Sequence, residues 1–259
     1  MNDVCAFILG ICHPHRLEWL KKCVSHLDKQ PFTFERKLVV LDEFNGHKAT
    51  DEIKNFLKER GWELKIVSYH SRSRTMQESL NEIKEDLVYY IEDDILLDLP
   101  PKKELLDLFE IMIEDRLCGH ISPQIGGGQY CSTRKIWGDI EFLEKNTVYK
   151  SENFLAFRRM EEYKTDYFIT FPCVLFRTKL FKDCVDQSIS IFKGRQIETG
   201  ITSAYFFSNF DKDYYKLSIC KPDTMEKLKQ DMKNERACGF VTLLDPEQGS
   251  NVCGGGNII

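Results

Sequence analysis

The segment that most limits how this chain can fold is an unbroken apolar run, Leu87 to Ile91, leading directly into Glu92, Asp93 and Asp94. A short run rich in β-branched and aromatic residues suits a strand covered on both faces. Three adjacent carboxylates at its carboxyl end repel one another and resist dehydration. Two arrangements relieve that cost: a solvated acidic turn, or a bound divalent cation. Oxygen donors of this kind suit Mg2+ or Mn2+, with water and substrate phosphates completing the shell. The choice between them depends on what else the chain brings to the same place.

The preceding residues repeat one pattern. Cys5 to Cys12 is apolar without alternation, and His13, Pro14 and His15 break it. Pro14 fits the first turn of a helix, where its missing N–H costs nothing. Leu17, Leu20, Val24 and Leu27 then recur at helical spacing. Lys37 to Leu41 reads as a second strand ending in Asp42 and Glu43, followed by an Asn45–Gly46 turn. Asp51 caps or opens a helix through Ile53, Phe56 and Leu57 that Gly61 stops. Leu64 to Tyr69 is a third strand; residues 70–74 link it to a helix carrying Met76, Leu80 and Ile83.

Strands thus alternate with helices through the first hundred residues, which predicts an α/β fold with a parallel sheet flanked by helices. In such sheets ligands bind beyond the carboxyl ends of the strands. Asp42, Arg72, Arg74 and Asp94 would then share one edge.

Farther on, Pro100 and Pro101 start a helix with Leu105, Leu106, Phe109 and Ile113 on its apolar side, and Cys118 to Ser122 suits another strand. From Gln124 to Lys150 periodicity fails, and a long loop or irregular hairpin is expected around Gly126 to Gly128, Tyr130 and Trp137. Residues 167–176 are β-rich, Lys179 to Val185 suggests a short helix, Thr199 to Phe210 another, and Tyr214 to Cys220 a last strand. The charged segment from Lys221, ending in Gly254 to Gly256, suits a peripheral tail or lid.

Composition excludes several classes. With 259 residues, 42% of them hydrophobic, the chain can bury a sizeable core. A net charge of −5 gives no global attraction to nucleic acid. No apolar run is long enough to span a bilayer. Ten cysteines occur without a Cys-x-x-Cys pair, and the N-terminus lacks the pattern of a signal peptide. The thiols are therefore expected to be reduced and mostly buried, and the protein cytoplasmic or peripheral to a membrane.

The order of these motifs over residues 4–220 resembles a glycosyltransferase of the GT-A fold, most of all family two. That family opens with a strand, a Pro-containing loop with a basic residue, and a helix, matched by His13 to Cys23 with Arg16. Its second strand ends in acids, as at Asp42 and Glu43. Basic residues follow its third strand, as at Arg72 and Arg74, with Asn81 beyond. Its metal motif closes a strand, as Glu92, Asp93 and Asp94 do. An apolar β segment then leads to a Leu-Phe-Arg stretch, here Leu175 to Arg177, and an acid opens a later helix, here Glu198.

The resemblance implies a single GT-A domain over 1–225, with a Rossmann-like, mostly parallel sheet. Residues 1–100 would form the nucleotide half, 101–225 an acceptor half with a smaller β region, and 226–259 the tail. It implies Mn2+ or Mg2+ at Glu92 and Asp94. A UDP-, GDP- or dTDP-sugar would lie against His13, Arg16, Asp42, Arg72, Arg74 and Asp93. Glu198 would be the general base of an inverting transfer, with Asp166 and Asp139 as substitutes, and the acceptor a glycan, a glycolipid or a protein-linked sugar.

Each residue also has a plainer reading. Arg72 and Arg74 could be solvated, Asp42 could cap a loop, and Glu198 could face a helix dipole. Tyr130 and Trp137 could fill a core instead of stacking on a sugar. His120 is expected to be structural. A sugar-phosphate nucleotidyltransferase is the alternative enzyme, although Gly10 to Pro14 lacks its Gly-rich basic loop. A catalytically silent carbohydrate-binding relative is the third possibility.

Overall fold

The computed structural model of the chain describes residues 4–29, 33–43, 45–93, 102–122, 147–151, 155–159, 173–192 and 215–220. The first half alternates as the sequence predicts: β1 (Val4–Ile11), α1 (Pro14–Leu27), β2 (Arg36–Asp42), α2 (Asp51–Glu59), β3 (Glu63–Val67), α3 (Arg72–Glu82) and β4 (Leu87–Glu92). The second half holds α4 (Lys102–Glu114), β5 (Cys118–Ser122), β6 (Thr147–Lys150), β7 (Leu155–Arg159), β8 (Cys173–Arg177), α5 (Thr178–Phe192) and β9 (Tyr215–Cys220).

The described strands form one sheet of nine, in the order β3-β2-β1-β4-β8-β5-β9-β7-β6. β1 pairs in parallel with β2 and β4, and β2 with β3. β8 runs antiparallel between β4 and β5. Beyond it the sheet is mixed, with β9 parallel to β5, and β7 antiparallel to both β9 and β6.

Burial on both faces explains the missing alternation in β1 and β4. Val4, Ala6 and Ile8 point into one core with Leu20, Val24, Ile53, Leu57 and Met112, so α1, α2 and α4 cover that face. Cys5, Phe7 and Leu9 point into the other with Met76, Leu80, Phe181 and Val185, so α3 and α5 cover the opposite one. Fully burying one such Leu or Phe is worth about 1.5–3 kcal/mol. Right-handed crossovers require α1 and α2 on one face and α3 on the other. The chain steps outward from β1 to β3 with helices on one face, then reverses to β4 with α3 on the other.

That reversal positions the site. The carboxyl ends of β1 and β4 lie side by side, with Leu9 opposite Glu92, where connections leave in opposite directions. This is the switch point at which open α/β sheets leave a crevice.

Several boundaries differ from the sequence reading. Ser71 caps α3, so Arg72 and Arg74 belong to its first turn and not to a linker. Asp51 opens α2, one of the two places the sequence allowed it, and Thr50 is the cap. Asn45 and Gly46 both take positive φ, 51° and 80°, as a tight turn needs. The helix read as Lys179 to Val185 is twice as long, because Ser188 and Ile189 continue its packed side. β7 was not anticipated at all. The segments expected at 167–172 and 199–210 and the tail from 226 lie outside the described residues.

Candidate functional site

Strand periodicity sends the first two acids of the triplet to opposite faces of the sheet. Tyr90 and Glu92 point toward α3, while Ile91 and Asp93 point toward α1. Asp93 is fully buried and gripped by the Arg16 guanidinium. Arg16 Nε donates to Oδ2 at 3.1 Å and Nη2 makes a close ion pair with Oδ1. Arg16 also lies over the Trp19 ring, 5.3 Å from its centroid. A two-pronged pair of this kind needs an unobstructed floor, and Gly10 supplies it. A Cβ there would stand 2.6 Å from Asp93 Oδ2 and 3.1 Å from a Leu41 methyl. An isolated glycine inside an apolar strand is the signal for such an approach, and it is legible in the sequence.

Glu92 has a different partner. Arg72 Nη2, from the first turn of α3, makes a close ion pair with its Oε1. The Tyr90 hydroxyl reaches both, 3.4 Å from Arg72 Nη2 and 3.5 Å from Glu92 Oε1. Tyr90 did not figure in the sequence reading, although its two-residue offset from Glu92 places both on one face.

Asp42 ends β2 on that same face and is buried. Its carboxylate accepts the backbone N–H groups of His70 and Ser71 at 3.2 and 3.3 Å, and the Thr75 hydroxyl at 2.8 Å. His70 adopts φ 52°, which turns the two amides toward one carboxylate. With three donors on roughly four lone-pair sites, Asp42 keeps little capacity for a ligand. It holds the β3–α3 connection against the sheet and so places Arg72 and Arg74. Glu43 beside it is half-buried, with its carboxylate 3.5 Å from the Ser68 hydroxyl. Arg74 lies over the Tyr69 ring at 4.5 Å. Asn81 is exposed in the last turn of α3, away from this edge.

His13 is the N-cap residue of α1, where Pro14 starts the helix. Its ring stands 5.5 Å from that of His15 and 5.0 Å from that of His47. Three imidazoles therefore meet where β1 ends, a grouping that sequence spacing did not reveal because His47 arrives from the β2–α2 loop. His120 is buried in β5 and stacked on Phe176 at 4.9 Å, as a structural residue would be. Asp94, Tyr130, Trp137, Asp139, Asp166 and Glu198 lie outside the described residues.

The chemistry of the edge fits a cation in part. Glu92 is half-buried at a strand tip and already holds a positive group on Oε1, so a divalent ion would find a suitable oxygen there. Asp93 does not fit, because both of its oxygens face Arg16 in a closed pocket. Among the described residues no set of three His, Cys, Asp or Glu side chains is arranged to hold a metal, so Glu92 would need partners beyond them.

Among the described residues Cys5, Cys12, Cys23, Cys118 and Cys184 are buried thiols outside any disulfide and take no part in the site. Burial pushes the thiols of Cys5 and Cys12 up to about 12, and that of Cys184 upward. Such thiols are poor nucleophiles at neutral pH.

No family model matches the sequence, and no curated protein matches it. Solved structures do match in shape. The Staphylococcus aureus TarS 1-349 structure in complex with UDP-GlcNAc shares 15% identity at a TM-score of 0.52, over 83% of this chain and 58% of that one. A mannosyltransferase from Pyrobaculum calidifontis, in complex with GDP-Man and Mn2+, shares 10% identity at a TM-score of 0.46, over 83% of this chain and 54% of that one. A cytidylyltransferase from Leptospira borgpetersenii shares 12% at 0.45, over 78% and 72%. The likeness to TarS shows that this chain has the GT-A fold. The chain spans less than three fifths of the TarS chain it matches.

Proposed function

We propose that the protein is a metal-dependent glycosyltransferase that moves a sugar from a nucleotide-sugar donor to an acceptor hydroxyl, with inversion. One observation carries the reading. At the switch point of a GT-A sheet, the acidic strand tip faces an arginine from the first turn of the helix across the crevice. A leaving diphosphate needs that combination of preorganised positive charge and an acidic hold for a cation.

The residues divide the work as follows. Asp93 and Arg16 lock the tip of β4 to α1 and fix the direction of Glu92. Asp42 holds the loop before α3, which sets where Arg72 and Arg74 stand. Arg72, with Arg74 and His13 as neighbours, neutralises the diphosphate oxygens. Glu43, with an oxygen still open, contacts the nucleoside in place of Asp42. A divalent cation, Mn2+ or Mg2+, at Glu92 and Asp94 would supply Lewis-acid charge to the departing group when bound. Glu198 takes the proton of the acceptor hydroxyl, a poor nucleophile without a base. The UDP-GlcNAc in TarS makes a UDP-sugar the first donor to try, with GDP- and dTDP-sugars next. The acceptor is a glycan, a glycolipid or a protein-linked sugar.

A nucleotidyltransferase is less well supported. It needs a glycine-rich loop of amides around a triphosphate, whereas only Cys12 and His13 separate β1 from α1 here. A thermal-shift series with UDP-, GDP- and dTDP-sugars, with and without Mn2+, tests the reading. A ligand bound only by the native state raises the melting temperature. At least one sugar nucleotide should do so only with the metal, and Asp94→Ala should abolish the shift. Stabilisation by nucleoside triphosphates alone, or by none of these compounds, overturns it.

A further inference from the structure

Four of the six histidines stand at one edge of the sheet: His13 and His15 at the β1–α1 junction, His47 between β2 and α2, and His70 between β3 and α3. Three of them meet. The His13 ring lies 5.5 Å from that of His15 and 5.0 Å from that of His47, which crosses it edge-on. Two separate connections bring them together, so the grouping belongs to the fold and not to one stretch of chain. His15 and His47 are exposed and His13 is half-buried. Among the described residues no hydrogen bond or ion pair engages any of the three rings. A structural histidine is buried against its neighbours, as His120 is on Phe176; these three are not.

Imidazole is the side chain that ordinarily changes charge between about pH 8 and pH 5. Three imidazolium rings at these separations repel one another, and an anion among them removes that cost. The acids of the surrounding elements are mostly engaged elsewhere. Asp42 is taken up by three donors, Asp51 pairs with Lys54, and Glu18 and Glu52 pair with Lys21. Arg16 is bound to Asp93. Glu43, at the end of β2, is balanced in charge by Lys48 in the loop that carries His47. The first turn of α1, where His15 stands, holds no acid.

We propose that His13, His15 and His47 form an anion site that takes a phosphate group when the rings are protonated. The ligand class is a phosphate ester or diphosphate, carried either by the sugar nucleotide or by a separate phosphorylated molecule. The site goes beyond the glycosyl-transfer reading and stands without it, since it needs neither a metal nor a general base. Protons and anion are taken up together, so each strengthens the binding of the other. Affinity therefore rises as the pH falls through the imidazole range.

Sulfate is the probe, because it stays a dianion across this range and any change in its affinity belongs to the protein. Calorimetric titration at constant ionic strength, with a chelator present, should show sulfate bound at least about fivefold more tightly at pH 6 than at pH 8, the lower end of ordinary coupling between sites. At the lower pH the NMR signals of the His13, His15 and His47 rings should shift with sulfate, while those of His26, at the far end of α1, stay in place. His47→Gln, at an exposed position, should melt as wild type does, bind sulfate less tightly at pH 6 and be unchanged at pH 8. Displacement of sulfate by UDP-GlcNAc with Mg2+ assigns the site to the nucleotide's diphosphate, and sulfate binding that persists assigns it to a separate phosphorylated ligand; either result supports the site. Sulfate binding that is absent or equal at both pH values, an equal shift of His26, or wild-type behaviour of His47→Gln overturns the proposal and leaves the glycosyltransferase reading intact.

Discussion

At the scale of single residues, the two described acids of the triplet, Glu92 and Asp93, have different partners. Asp93 is structural, and its neighbours carry the cost of that role. Arg16→Ala leaves a carboxylate with no exposure without its counter-charge and should destabilise the fold by about 3–5 kcal/mol. Gly10→Ala drives a methyl into the same pair and should cost about 1–3 kcal/mol as an overpacked core does. Urea denaturation midpoints measure both. Midpoints unchanged from wild type would mean that Asp93 is not held as described. The triplet was visible in the sequence, but its division was not. Neighbouring carboxylates look alike until the strand's two-residue period assigns one to each face, and the arginines that answer them lie 77 and 20 residues away.

At the scale of elements, the first half of the fold was legible because each strand is covered on both faces and each helix has one apolar stripe. Leu17, Leu20, Val24 and Leu27 are all buried on α1, as their spacing requires. Helix starts were less legible, since Ser, Thr and Asp compete for one cap position. The sequence admitted Asp51 as the cap of α2, but Thr50 Oγ1 accepts the Ile53 N–H at 3.3 Å. Thr50→Ala should therefore cost about 1 kcal/mol. Asp51→Ala should lose only the smaller dipole contribution, about 0.3–1 kcal/mol, and a reversed order in thermal melts would return the cap to Asp51. β7 escaped because Leu155 to Arg159 mixes apolar and basic residues without a clean period, and its strand character comes from pairing with β9 and β6. Asp42 could be read two ways from sequence. Its hydrogen bonds to the His70 and Ser71 amides depend on the left-handed turn at His70, which no spacing rule announces.

At the scale of the molecule, the described elements form a single sheet with a core on each face, and several thiols sit inside those cores. Cys5 and Cys12 ionise near 9 when unfolded and at about 12 when folded. A raised folded value means that the native state keeps its protons longer, so this contribution to stability is intact below pH 9. It is lost as the pH climbs from about 9 toward 12. Melting temperatures should hold from pH 7 to 8.5 and then fall, and thiol reagents should react with these cysteines only after unfolding; rapid labelling of the native protein at pH 7.5 would contradict this. No helix among the described residues is long and apolar enough to cross a membrane. The topology gathers β1, β2 and β4 so that their carboxyl ends open on one crevice, and the account stands or falls on what that crevice binds. The most direct test is a crystal grown with Mn2+ and a UDP-sugar, read by the anomalous signal of the metal. A peak touching Glu92 and the donor's diphosphate, with the Arg72 guanidinium moved onto the phosphates, is the predicted result. Donor bound at another surface, or a crevice that stays empty at saturating ligand, would contradict it.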